Sequence, residues 1–236
     1  MQKRPTFSPK RPALRTPSVR VKTARGRKVS SQRWLQRQLN DPYVLQAKTL
    51  GYRSRAAFKL EQLDDKFHFL KKGASVVDLG MAPGGWTQVA LERTQVAGKA
   101  CHVVGIDLLP VDPLPNVTIF QGDFMEEDQR EAVRQACGGA ADVVLSDMAA
   151  STTGHAGTDH LRTVALAEIA YHFAKEVLRP GGSFVAKVFQ GGTDQDLLNA
   201  LKRDFSQVRH FKPPASRKES PEMYVVAIGF RITPTR

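Results

Sequence analysis

The chain has 236 residues, of which 41% are hydrophobic, enough for one sizeable domain with a real core. No apolar run approaches the roughly 20 residues that cross a bilayer, and the amino terminus lacks the apolar h-region of a secretory signal. The net charge is +12, and residues 1–40 carry twelve Lys or Arg without one Asp or Glu, so the remainder is formally neutral.

Residues 1–30 are rich in Pro, Arg, Lys, Ser and Thr and poor in large apolar side chains. Such a segment cannot bury enough surface to offset its ordering entropy, and is expected to be a disordered basic arm. Its charge suits a nucleic acid. A solubilising tail and a mitochondrial transit peptide, also Arg- and Ser-rich and free of acids, are the alternatives. From residue 31 to residue 236 a single domain is expected. Gln32 to Leu70 is helical in pattern. Trp34, Leu35 and Leu39 share one face, Asp41-Pro42 breaks the run, and Ala56, Leu60 and Leu63 recur three or four apart behind Ser54, a candidate N-cap.

Short apolar runs then alternate with helical stretches. "SVVDL", "HVVGID", "VTIF", "DVVLSD" and "SFVAKVF" read as strands, and helices are expected near 86–95, 126–137, 160–178 and 194–203. Strands this apolar predict an α/β fold, a doubly wound and mostly parallel sheet covered on both faces. "QVRHF" and "MYVVAIGF" predict a closing hairpin. Ligands of such sheets bind at the carboxyl ends of the strands. Cys101 and Cys137 lie far apart in no metal or redox spacing, as for two reduced thiols of a cytosolic protein, and no metal site is expected.

A glycine loop, three acids at strand ends and one lysine inside a strand stand out. The loop Gly80-Met81-Ala82-Pro83-Gly84-Gly85 is neither a Walker A loop nor GxGxxG, and Gly80 to Gln88 holds no Lys or Arg for a triphosphate. Its backbone N–H groups at a helix start suit one modest anion such as a carboxylate. Asp107 closes the next strand about 22 residues on, the usual place of an acceptor for ribose hydroxyls. Asp123 is placed to accept from an adenine amino group, and Asp147 ends "VVLSD". Ribose, an amino group and a carboxylate without phosphates match S-adenosyl-L-methionine, a dinucleotide being the alternative. Lys187 interrupts an otherwise apolar strand, and a buried ammonium needs a partner. Asp147 on the neighbouring strand is one, with Lys59 and Glu222 able to complete a group of alternating charge.

"RWLQRQLNDPYVLQAK", "YRSRAAFKL", "VVDLGMAPGGWTQVA", "DLLPVDP", "QGDF", "LSDMA", "LRPGGSFVAKVFQG" and "SRKESPEMYVVA" together resemble the FtsJ-type (RrmJ) ribosomal RNA 2′-O-methyltransferases from about Ser31 to Phe230. The resemblance implies a Rossmann-like class I methyltransferase fold of seven strands with the last antiparallel. It implies methyl transfer to a ribose 2′-oxygen, that of a uridine, in large-subunit ribosomal RNA. A monomer is expected, in the cytoplasm or, on the alternative reading of the basic arm, the mitochondrial matrix. It implies a catalytic set of Lys59, Asp147, Lys187 and Glu222, with Glu219 a near rival for the last place, and cofactor contacts at Gly84, Trp86, Asp107, Asp123 and Asp147. Lys187 is the expected base. Lys59 as a second cation favours loss of its proton, and Asp147 opposes it. The chain departs from the family in having Ala150-Ser151 where Pro-Asn is common and Met81 where a small residue is usual. The same chemistry on transfer RNA, or a catalytically silent RNA-binding assembly factor, are the other readings. "YRSR", "LKR" and "SRK" are candidate members of a basic rim.

Overall fold

The computed structural model describes residues 29–97, 102–150, 153–190 and 195–231. The basic arm lies outside them save for its last two residues, Val29 and Ser30, as do Cys101 and Ser151. Contacts divide the described chain into a unit ending at Gln46 and a unit starting at Ala47. The first holds α1 (Val29–Leu39), on which Leu39 stays exposed, and the start of α2 (Pro42–Leu50). Asp41 ends one helix and caps the next. Its Oδ1 accepts the Tyr43 N–H at 3.0 Å, and Pro42 at the first helical position has no N–H to satisfy.

In the second unit the periodic residues form α3 (Ala57–Phe67), with Leu60 and Leu63 fully buried. Ser54 does not cap it. The preceding residue is Ala56, no side chain caps the helix, and the Ser54 hydroxyl is buried without a hydrogen-bond partner. The chain then alternates as β1 (Val76–Leu79), α4 (Gly85–Thr94), β2 (Val103–Asp107), β3 (Val117–Gln121), α5 (Glu127–Ala136), β4 (Ala141–Ser146), α6 (Ala156–Val177), β5 (Leu178–Phe189), α7 (Gln195–Asp204), β6 (Phe205–Phe211) and β7 (Glu222–Phe230).

The seven strands make one sheet in the order β3-β2-β1-β4-β5-β7-β6. The β1, β2, β3, β4 and β5 pairings are parallel, and β7 runs antiparallel to both its neighbours. One face buries Val133, Ala170, Phe173 and Leu201 from α5, α6 and α7, and the other buries Leu60, Leu63, Trp86 and Val89 from α3 and α4. Burial on both faces is why the strands read as continuous apolar runs. The order reverses between β1 and β4, which opens a crevice at their carboxyl ends. No helix among the described residues is long and apolar enough to cross a membrane.

Two glycines allow the close approaches that shape this crevice. A Cβ on Gly80 would lie 2.9 Å from the Met148 backbone, so the turn after β1 presses on the strand end that carries Asp147. A Cβ on Gly105 would lie 2.4 Å from the Met81 Sδ. The unusual Met81 is thus accommodated by a missing side chain on β2, and is itself buried at 2% exposure. Cys137 is likewise buried, which pushes its thiol up.

Candidate active site

Five strand ends converge on the crevice. After β1 the glycine loop turns into α4, whose N-cap Gly84 holds φ +107°, a left-handed value that favours glycine. Arg53 fastens this loop from outside: its guanidinium donates to the Pro83 carbonyl at 3.3 Å and to the Asp112 and Pro113 carbonyls at 2.8 and 3.0 Å. A cleft lies beside the loop, lined by Gly80, Asp107, Gly122, Asp123, Met148 and Leu166 among others. Asp107 Oδ2 accepts from the Ala82 N–H at 2.8 Å and Oδ1 from the Leu109 N–H at 2.9 Å, so this carboxylate holds the loop as well as facing the cleft. Asp123 is exposed there and Oδ1 accepts from the Met125 N–H at 2.9 Å.

Behind the loop Asp78 is fully buried. Oδ2 accepts from the Thr87 hydroxyl at 2.6 Å, and Oδ1 has no partner. Burial, with the charges of Asp147 and Asp107, outweighs the Thr87 bond and raises its carboxyl to about 7. Two carboxylates in one cleft beside a glycine turn fit an adenosine carrying an ammonium and a carboxylate.

Lys59, Asp147, Lys187 and Glu222 come together on the α3 side of the sheet. Lys187 Nζ lies 2.6 Å from the Asp147 carbonyl oxygen and 3.2 Å from Asp147 Oδ1. Lys59 Nζ meets Glu222 Oε1 and Oε2 at 2.7 and 2.8 Å. Glu222, the first residue of β7, also accepts from the Ser216 hydroxyl at 2.8 Å, whereas Glu219 is exposed. Both lysines are deeply buried, at 8% exposure for Lys59 and 9% for Lys187. Each is therefore paired, as burial of an ammonium requires. Burial alone would raise the Asp147 carboxyl, but Lys187, then Lys59 and the Tyr224 hydroxyl outweigh it and hold the group below the ordinary range, hence ionised.

Tyr224 joins the two ion pairs and was not legible as a site residue. Its hydroxyl donates to Asp147 Oδ1 at 2.9 Å and accepts from Lys59 Nζ at 3.3 Å. It is the cross-strand partner of Lys187 and lies two residues after Glu222 on the same face of β7. That alternation was the available signal, hidden because a tyrosine in an apolar strand reads as core. Burial pushes its phenol well above 10, so it stays a donor. Removing the hydroxyl in Tyr224→Phe is expected to lower kcat about tenfold and stability by about 1–2 kcal/mol, with cofactor affinity unchanged. Steady-state kinetics and thermal melting check this.

The Trp86 indole N–H donates to the Ala56 carbonyl at 2.9 Å and its ring packs 5.4 Å from that of Tyr224. The "YRSR" arginines also serve the fold: Arg55 donates to the Ala215 carbonyl at 2.5 Å, as Arg53 does to the loop.

This sheet order, with its glycine turn, acid-ended strands and lysine–carboxylate pair, defines a Rossmann-like methyltransferase. The sequence profile of the FtsJ-like methyltransferases matches residues 52–230. A protein of Paramagnetospirillum magneticum named ribosomal RNA large subunit methyltransferase E is 63% identical over 219 residues, 91% of this chain and 88% of its own. One of the same name from Granulibacter bethesdensis is 61% identical over 213 residues, covering 90% of each chain. Among solved structures, a ribosomal RNA methyltransferase from Plasmodium falciparum superposes with TM-score 0.65 at 34% identity, over 76% of this chain and 98% of the other. The chain belongs to the FtsJ-like methyltransferase family.

Proposed function

We propose that the protein transfers a methyl group from S-adenosylmethionine to a ribose 2′-oxygen of large-subunit ribosomal RNA. When bound, the cofactor supplies a methyl carbon already activated by a positive sulfonium. The protein must then orient two reactants and take one proton. The Gly80–Gly85 turn provides the close backbone approach, Asp107 and Asp123 the acceptors for ribose hydroxyls and the adenine amino group, and Asp147 a carboxylate for the positive end.

The observation that carries the proposal is the setting of Lys187. Asp147 offers its Nζ two acceptors, the carbonyl and Oδ1. Asp147 takes two of the three positions around Nζ, which leaves the third to face the 2′-hydroxyl; taking its proton there requires the lysine in its neutral form. Lys59, neutralised by Glu222, and Tyr224 brace Asp147 from the other side. The large-subunit substrate rests on the names of the relatives. The proposal is tested by offering labelled cofactor with large ribosomal subunits and transfer RNA side by side. Label in the large-subunit RNA alone is expected. Label in transfer RNA alone, or in neither, would refute the substrate.

The Arg53 clamp bears on the cofactor side of the reaction. Arg53→Ala unties the glycine loop, held at the Pro83 carbonyl, from the Asp112-Pro113 loop and is expected to raise KM for S-adenosylmethionine about tenfold while kcat changes little, a loss near 1.4 kcal/mol. A rise in KM for RNA alone would assign Arg53 to the RNA instead.

A further inference from the structure

At the opposite, amino-terminal ends of β1, β4 and β5 lies a second cleft, with a volume of about 500 Å³. Volumes of this order are typical of ligand clefts, but those are mainly apolar. This one is lined by Lys71, Lys72 and Arg179, with Asp142 as its acid and with Gly181 and Gly182 leaving its floor without side chains. Asp142 does not neutralise the cleft freely. It is spent on the Ser75 N–H at 2.8 Å and on one guanidinium nitrogen of Arg179, whose NH1 lies 3.0 Å from Oδ2 and 3.2 Å from Oδ1. Arg179 is thus held in place with its other N–H donors clear of that bond, and its side chain is half exposed. Lys71 is exposed and its ammonium has no hydrogen bond or ion pair among the described residues. Lys72 makes only a long contact, 3.4 Å, to the Glu92 carbonyl.

A fixed arginine fork beside two lysines suits phosphate oxygens. Of the rings that line it, Phe69 is buried and Phe67 packs edge-on against Phe211, while the His68 imidazole is exposed. The cleft therefore has cations for a backbone and one open imidazole beside them. It shares the α3 side of the sheet with the active site. Lys59 and Phe67 stand at the two ends of α3, eight residues or about 12 Å apart, and Ser183 and Lys187 are four residues or about 13 Å apart along β5.

We propose that this cleft is a phosphate-binding site, which grips the backbone of the same RNA whose ribose is methylated at the other end of α3. The proposal rests on the RNA methyltransferase reading above. Its test is Lys71→Glu/Lys72→Glu in the full chain, with wild-type melting and S-adenosylmethionine affinity as controls. Binding is measured against salt for large ribosomal subunits and for an unrelated duplex RNA. Phosphate contacts are blind to sequence, so on both RNAs the double variant should bind severalfold more weakly, and its log-affinity versus log-salt slope should be shallower by about 1.4–1.8, two contacts' worth. Wild-type affinity and slope on both RNAs would overturn the site. A wild-type protein that fails to methylate subunits, while the variant still loses slope on duplex RNA, would sink the ribosomal reading and leave the cleft standing.

Discussion

Lys187→Arg is expected to lower kcat for methyl transfer by about 10²–10⁴-fold, the usual contribution of a positioned general base. Arginine keeps the positive charge but does not deprotonate at working pH, so the substitution separates proton transfer from electrostatics. Affinity for S-adenosylmethionine should change little, because the glycine turn, Asp107 and Asp123 are untouched. The reason for a large effect is local. Lys187 is 9% exposed, so bulk water has little access to stand in for its amine. Single-turnover assays with saturating RNA measure the step itself. Turnover within a few fold of wild type would leave Lys187 a purely electrostatic role.

Asp147→Ala is expected to abolish measurable turnover and to destabilise the fold by about 3–5 kcal/mol, because it strands the buried Lys187 ammonium without its carboxylate. Both partners lie well inside the protein, with side-chain exposures of 9% for Lys187 and 18% for Asp147, so solvent screens the pair only weakly. The double variant Asp147→Ala/Lys187→Met should recover much of the stability and none of the activity. The pH dependence has a definite sign. The folded-state carboxyl of Asp147 is held below its unfolded value near 3.9. Its contribution is therefore fully present above about pH 4 and is lost as pH falls through the lower folded value. Denaturant unfolding should show the gap between wild type and Asp147→Ala constant at neutral pH and narrowing in acid. A gap that widens in acid would contradict the pairing.

Much of this arrangement was legible in the sequence because the chemistry sits where periodicity breaks. Lys187 is a charge inside an apolar strand, and Asp107 and Asp147 are acids that end apolar runs, so each announced a strand end at the crevice. The strands themselves were legible because a sheet covered on both faces leaves them no polar alternation. What was not legible depends on contacts between distant segments. Arg53 looked like part of a basic rim, yet three carbonyls from two loops absorb its guanidinium. Tyr224 looked like core until Lys59, 165 positions away, was brought to its hydroxyl. Ser54 was expected to cap α3, but the helix starts beyond its reach and the side chain turns instead toward Gly85, where an added Cβ would lie 2.5 Å from its hydroxyl. The early start of α6 at Ala156 has a similar cause. Asp159 reaches back to the N–H groups of Thr153 and Gly154, at 2.7 and 3.3 Å, and orders the turn before the helix.

The measurement that bears most directly on the central claim is the position of the transferred methyl group. Large ribosomal subunits methylated with labelled cofactor can be digested to nucleosides and separated. The arrangement of Lys187 against Asp147 beside the glycine turn requires the label on a ribose 2′-oxygen, and requires that it vanish with Lys187→Arg. Label on a base nitrogen or carbon, or on ribose at full rate without an amine at position 187, would contradict it.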